Sequence, residues 1–308
     1  MSGAYPVRVI PPVVSRTRSA TMSGKATRAG TLIVQAPHEK GIVSTVSQLL
    51  ARHGTTVLDS AHYSDPVSHT FFQRLQFDLA GLSDRLTLER SLREVGERAA
   101  MRWRVWYGDR KRRIAIFASK QEHCLYDLLI RHRAGELECE IAMVISNHPE
   151  ATPIARHFGV PFHYLPVSPE RRRTQEAAAM DLVDRAGVDL IVLARYMQIL
   201  SPEFVARYPH RIINVHHSFL PAFVGAKPYH RAFERGVKLI GATSHYVTEE
   251  LDEGPIIEQD VVRISHRDGL EDLIEKGRDL EKAVLSRAVR WFIDHRILVY
   301  DRKTVVFD

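Results

Sequence analysis

The chain has 308 residues, 44% of them hydrophobic and 26% charged, which suits two globular domains with sizeable cores and excludes fibrous and low-complexity classes. No apolar run approaches the roughly 18 residues of a membrane span, so no membrane partner is expected. The formal charge of +6 lies almost wholly in residues 1–28, where Arg8, Arg16, Arg18, Lys25 and Arg28 stand without an acid and leave the body at +1. So small a charge makes no electrostatic case for nucleic acid.

Residues 1–28 mix Pro, Ser, Thr and Arg without hydrophobic periodicity and read as a disordered, dispensable tail. Their acid-free, Arg-containing composition also fits a mitochondrial transit peptide, but Pro6, Pro11 and Pro12 would break a helix there. Met22 is an alternative start. The two cysteines, Cys124 and Cys139, suit a reducing compartment, and a cytoplasmic protein is expected.

Residues 29–107 form the first predicted domain. Thr31 to Gln35 reads as a strand, Pro37 to Gly41 as a turn, and Ile42 to His53 as a helix with apolar residues at helical spacing. Gly54 stands where a carboxyl-terminal helix cap belongs. Strands at Thr56 to Tyr63 and Thr70 to Leu79, a helix at Asp84 to Arg98 and a strand at Met101 to Tyr107 complete a βαββαβ order, the ferredoxin-like split βαβ unit. On the strand, the Pro37 to Gly41 turn, the helix and the hairpin, this pattern resembles the ACT domain, a small regulatory amino-acid-binding module. The resemblance implies an amino-acid effector and, because such sheets commonly pair edge to edge, a homo-oligomer. His38-Glu-Lys-Gly departs from the Asp-Arg-Pro-Gly type turn usual there, so a packing or dimerisation module without ligand is the competing expectation.

Residues 108–113 are a charged linker. From 114 to 308 the expected class is α/β: apolar strands at Ile114 to Ala118, Ile141 to Ser146, Phe162 to Tyr164, Asp189 to Ala194 and Ile212 to Val215. They alternate with helices at Glu122 to His132, Ala151 to Phe158 and Glu170 to Ala186, which predicts a doubly wound parallel sheet. Lys238 to Tyr246 and Ile256 to Ile264 add a β extension, Gly269 to His295 a long helix, and Lys303 to Phe307 a final strand. Ala118-Ser-Lys-Gln-Glu-His-Cys124 lacks the glycines of dinucleotide and phosphate loops, so no dinucleotide cofactor is expected.

Chemistry is expected where the strand Ile212 to Val215 runs into polar residues, since ligands of open α/β sheets sit beyond strand ends. Asn214 and His216 are two apart and share a face. A carboxamide and an imidazole side by side can donate to an oxygen that becomes negative. Asp252, before the Gly254-Pro255 turn, is the candidate partner, able to orient the imidazole or take a proton from water; the competing reading is an Asp that only makes the turn.

Asn214-Val-His216, Ser218-Phe-Leu-Pro221, Gly241-Ala-Thr-Ser-His245 and Glu249-Glu-Leu-Asp-Glu-Gly-Pro-Ile256 are similar, in order and approximate spacing, to the formyltransferase-fold folate enzymes. The resemblance implies that Asn214, His216 and Asp252 form the catalytic trio. It also implies that Met197, Gln198, Ile199 and Leu200, with Val247, Glu249 and Leu251, bind the folate. His245 is a weaker candidate for holding Asp252 or water. That family contains transferases and hydrolases, so its fold does not choose the reaction. Ile114 to Arg133 contains no glycine, unlike the phosphate loop of the glycinamide ribonucleotide transferases, and an ACT-like domain in front resembles the formyltetrahydrofolate deformylases. The expected activity is therefore hydrolysis of 10-formyltetrahydrofolate to tetrahydrofolate and formate, with folate as substrate and no cofactor. Formyl transfer to an amine, or a non-catalytic folate- or amino-acid-binding regulator, are the alternatives.

His217 is expected to face away from the site. His210, His216, His217, His230 and His245 lack metal-site spacing, so no metal is expected. Cys124 reads as a packed thiol. Arg171 to Arg173, Lys227, Arg231 and Arg235 are candidates for attracting an anionic folate tail.

Overall fold

The computed structural model describes residues 29–37, 41–222 and 228–308; the basic tail, turn residues 38–40 and Lys227 lie outside them. The amino-terminal unit consists of β1 (Ala29–Pro37), α1 (Ile42–Arg52), β2 (Val57–Asp65), β3 (Thr70–Asp78), α2 (Arg85–Arg98) and β4 (Arg102–Trp106). The strands form one antiparallel sheet in the order β2-β3-β1-β4, the ferredoxin-like arrangement. Helix α1 buries Ile42, Val46, Leu49 and Leu50 on one face and gives way to Gly54 at φ 78°, a left-handed conformation that glycine adopts without steric cost. Helix α2 starts on Asp84, whose carboxylate accepts from the Thr87 backbone N–H at 2.8 Å.

The second unit runs β5 (Arg112–Ala118), α3 (His123–Arg133), β6 (Cys139–Ser146), α4 (Thr152–His157), β7 (Phe162–Tyr164), α5 (Arg172–Arg185), β8 (Leu190–Ala194), α6 (Pro202–Arg207), β9 (Ile212–His216) and α7 (Pro228–Arg235). It ends with β10 (Leu239–Tyr246), β11 (Ile256–Arg263), α8 (Leu270–Ile293), β12 (Ile297–Tyr300) and β13 (Lys303–Val306). A seven-stranded sheet has the order β11-β10-β9-β8-β5-β6-β7. Strands β7 to β9 in that row are parallel; β10 and β11 extend the edge antiparallel, as the β extension read from the sequence. Apolar residues pack on both faces, with α3, α7 and α8 over one and α5 and α6 over the other. Strand β6 lies on one side of β5 and β8 on the other, so the order reverses at the carboxyl ends of β5 and β8, where a crevice for ligands opens.

Several elements differ from expectation. Strand β5 takes in Arg112 and Arg113, residues read as linker. Helix α6 has six residues, too short for a periodic signal; Pro202 starts it and Ser201 Oγ accepts from the Phe204 N–H at 3.2 Å. Helix α7 and strand β12 were also not anticipated. Strand β12 pairs with β13, and this hairpin brings Leu298 and Phe307 against Ile33 and Phe72 of the first sheet. Arg74, fully buried, joins the units by donating to the carbonyls of Asp294 (3.0 Å) and His295 (3.1 Å) and to Asp59 (3.1 Å). A buried guanidinium persists there because hydrogen bonds compensate its lost hydration.

Candidate active site

Strand β9 buries Ile212, Ile213 and Val215 and carries Asn214 and His216 on one face. The antiparallel neighbour β10 sets His245 opposite Asn214 and Thr243 opposite His216. Opposed residues of such a pair project together, and Asn214 Nδ2 and His245 Nε2 are 3.2 Å apart. His245 Nδ1 donates to the Tyr246 carbonyl at 2.9 Å, which leaves the lone pair on Nε2 to accept from the Asn214 amide. Burial pushes the His245 imidazole toward its neutral form, consistent with that tautomer. Asn214 is thereby held with one N–H engaged and one to spare.

The loop after β10 is tied at its ends by the Tyr246 N–H donating to Pro255 O at 2.9 Å. Gly254 is required at the crossing, because a Cβ there would stand 1.7 Å from the Tyr246 carbonyl oxygen. This excursion folds Asp252, at φ 60°, back over the end of β9. Its Oδ2 accepts from His216 Nδ1 at 3.1 Å, and its Oδ1 stands 3.7 Å from His245 Nε2, beyond hydrogen-bond reach. Burial works to raise the Asp252 carboxyl, but the His216 hydrogen bond and the surrounding imidazoles outweigh it and hold the group below its ordinary value. Asp252 is therefore an anion at neutral pH. His216 Nε2 is buried and has no hydrogen-bond partner among the described residues. An orphaned buried nitrogen beside a cavity calls for a ligand atom.

That cavity is about 290 Å³ and is lined by every residue singled out in the sequence for the trio and the folate: Asn214, His216, Asp252, Met197, Gln198, Ile199, Leu200, Val247, Glu249, Leu251 and His245. Met197, Ile199 and Leu251 are exposed apolar side chains at its rim, suited to cover a flat ring. Arg172 donates to the Ile199 carbonyl and lies 3.7 Å from Glu176, so it braces the loop after β8.

His217 follows the end of the strand and borders two cavities, the one above and a second lined by Ser218, Phe219 and Tyr229, with its ring centroid 5.9 Å from that of Tyr229. Burial first, then the charge of Arg195, pushes the His217 pKa down to about 3, so it stays neutral. Arg195, Glu281, His123 and Tyr229 were not singled out for the site. Arg195 follows five buried apolar residues of β8, the same signal that exposed Asn214 and His216. Glu281 is an acid in the buried stripe of α8, which helical spacing alone could have flagged.

Residues 112–289 match the formyl transferase family model. The formyltetrahydrofolate deformylase of Bacillus subtilis (strain 168) is 49% identical over 281 residues, covering 91% of this chain and 94% of that one. The chain belongs to the formyltetrahydrofolate deformylase family. The crystal structure of a formyltetrahydrofolate deformylase from Pseudomonas syringae pv. tomato str. DC3000 superposes with a TM-score of 0.89 at 47% identity, covering 92% of this chain and 96% of that one. The glycinamide ribonucleotide transformylase 1 of Symbiobacterium toebii superposes at 0.61 and 32% identity over 66% of this chain and 97% of its own. The deformylase match thus extends across both units described above.

Proposed function

We propose that the protein hydrolyses 10-formyltetrahydrofolate to tetrahydrofolate and formate, with Asn214, His216 and Asp252 as the catalytic residues. The observation that carries the roles is the orphaned His216 Nε2, fixed by Asp252 from behind, in a cavity whose rim is apolar. Membership of the deformylase family supports the choice of reaction.

In this mechanism the folate lies between the Met197 to Leu200 and Val247 to Leu251 segments. Water, held by the free Oδ1 of Asp252, attacks the formyl carbon and gives up a proton to that carboxylate. The spare N–H of Asn214 and, in the form of His216 that carries a proton on both ring nitrogens, its Nε2–H stabilise the tetrahedral oxyanion. The C–N10 bond then breaks, N10 takes a proton relayed by His216, and formate leaves. His245 acts through Asn214, by fixing which way its carboxamide points. No cofactor takes part in these steps. Supplying 10-formyltetrahydrofolate without an acceptor and measuring formate tests the reading; formate appearing only when an amine is added would refute it.

The amino-terminal unit has the ferredoxin-like sheet that ACT modules share, which supports an amino-acid effector site there. Strand β2 stands at the sheet edge with Leu58 and Tyr63 exposed, which supports edge-to-edge pairing into a homo-oligomer. Both cysteines are free and buried, and burial pushes the Cys139 thiol up to about 12, which suits a reducing cytoplasm.

A further inference from the structure

The crevice between β5 and β8 converges on one buried carboxylate. Glu281 lies in the buried stripe of α8, with its side chain 1% exposed. Gly277, four positions earlier on the same face, interrupts a long helix for a reason: a Cβ there would stand 2.2 Å from the Tyr229 ring. The glycine lets Tyr229 lie on α8, and the Tyr229 hydroxyl donates to Glu281 Oε1 at 2.7 Å. From the start of α3, His123 Nε2 donates to Oε2 at 2.7 Å. Arg195 is the third neighbour, its Nε 3.4 Å from Oε2 and its side chain 11% exposed. That Nε is buried without a hydrogen-bond partner among the described residues. Burial works to raise the Glu281 carboxyl, but the His123 hydrogen bond and the Arg195 charge outweigh it and keep it ionised.

The cluster does not read as a metal centre. His123, Cys124 and Glu281 do bring ligand atoms within 4.8 Å of one another. However, both Glu281 oxygens are already taken, and a guanidinium beside them repels a second cation. Burial also pushes the Cys124 thiol well above its ordinary value, away from the thiolate that binds metals.

What the cluster does is hold Arg195. This residue is at φ 60°, a left-handed conformation that a long side chain adopts only where its surroundings impose it. Leu193 pairs with Asn214 across β8 and β9, so Arg195 leaves its strand level with His216. It lines the catalytic cavity with Asn214, His216 and His217. The formyl donor has its own loops; an acceptor would enter from the crevice where the strand order reverses. That is where Arg195 stands.

We propose that Arg195, clamped by the Glu281 carboxylate, fills the acceptor side of the catalytic cavity and restricts the acceptor to water. The inference rests on the hydrolase reading above. Two effects act together. The side chain occupies space that a substituted amine needs, and a fixed cation repels an amine, which arrives largely as ammonium at neutral pH. Water is small and neutral. Without Arg195, the amine nitrogen attacks the formyl carbon and loses a proton, the C–N10 bond breaks and N10 gains a proton. The product is then an N-formyl amine in place of formate.

The test supplies 10-formyltetrahydrofolate and glycinamide, a small primary amine, to the wild type, Arg195→Lys and Arg195→Ala, and quantifies formate and N-formylglycinamide together. The wild type and Arg195→Lys should give formate alone. Arg195→Ala should give N-formylglycinamide that rises with glycinamide to at least about tenfold above the background measured without enzyme. Formate as the sole product of folded Arg195→Ala overturns the proposal, as does N-formylglycinamide from the wild type. Removing one member of a buried charge cluster destabilises, so the double variant Arg195→Ala/Glu281→Gln, which removes both charges, runs alongside. Formate alone from that variant overturns the proposal equally. Wild-type formate release without amine is read separately, and its absence would refute the hydrolase reading whatever the partition.

Discussion

Two imidazole–carboxylate pairs lie near the carboxyl ends of the parallel strands, one beyond β9 and one between the start of α3 and α8, and they differ in what they leave unsatisfied. His216 and Asp252 meet at 3.1 Å, and one imidazole nitrogen remains buried without a partner at the cavity. His123 and Glu281 meet at 2.7 Å, and the second Glu281 oxygen accepts from Tyr229. The first pair is poised to act on a ligand; the second is closed and holds its neighbours in place. The same residue types thus serve chemistry or architecture according to where their remaining hydrogen-bonding capacity points.

Substitutions that should hit rate at one pair and stability at the other test this contrast. The largest effect is expected from Asp252→Asn, which keeps the shape of the loop but cannot take a proton. Turnover should fall by roughly 100- to 10,000-fold while folate binding persists, as read by steady-state kinetics beside a binding titration. Lost binding would instead make Asp252 a ligand contact. Asn214→Ala removes the proposed oxyanion donor and should lower kcat by about 100- to 1000-fold with little change in melting temperature. At the second pair the pattern reverses. Glu281→Ala leaves Arg195 and His123 buried without their carboxylate and should destabilise the fold by about 3–5 kcal/mol in urea unfolding. A Glu281→Ala protein of unaltered stability would erase the distinction between the pairs.

The smallest effect concerns His217. Its pKa in the folded chain is pushed down to about 3, so the unfolded chain binds the proton first. Stability therefore falls as pH drops below the unfolded histidine value of about 6.5, and His217→Gln should remove up to about 1.4 kcal/mol per pH unit of that slope. The same variant should leave the pH profile of kcat/KM near neutrality unchanged, because a permanently neutral ring contributes no titration there.

Much of the fold was legible because its strands are apolar runs and its longer helices carry clean stripes. Ile42, Val46, Leu49 and Leu50 announce α1, and Asp84 and Gly54 mark helix ends by their own chemistry. Asn214 and His216 were legible because a buried strand has no packing reason to end in polar groups. From the residues alone Asp252 was legible as a candidate partner that competed with a plain turn role, and the motif resemblance favoured the first. Its approach to His216 depends on Gly254 crossing Tyr246, a contact through space that no spacing encodes. Arg195 and Glu281 each carried a local signal, but their pairing did not, since residues 86 apart in the chain meet only after α8 packs on the sheet. For His217, strand alternation points to one side only, whereas the residue stands one past the end of β9 and borders two cavities. Helix α6 was too short to register as periodic.

At the Asn214, His216 and Asp252 site the proposed acceptor is water. Turnover of 10-formyltetrahydrofolate in ¹⁸O-labelled water, with no amine present, tests it most directly. Formate carrying one oxygen from solvent is expected for each tetrahydrofolate released, with loss of that product in Asp252→Asn. Absence of labelled formate from the wild-type protein, or labelled formate undiminished in Asp252→Asn, would contradict it.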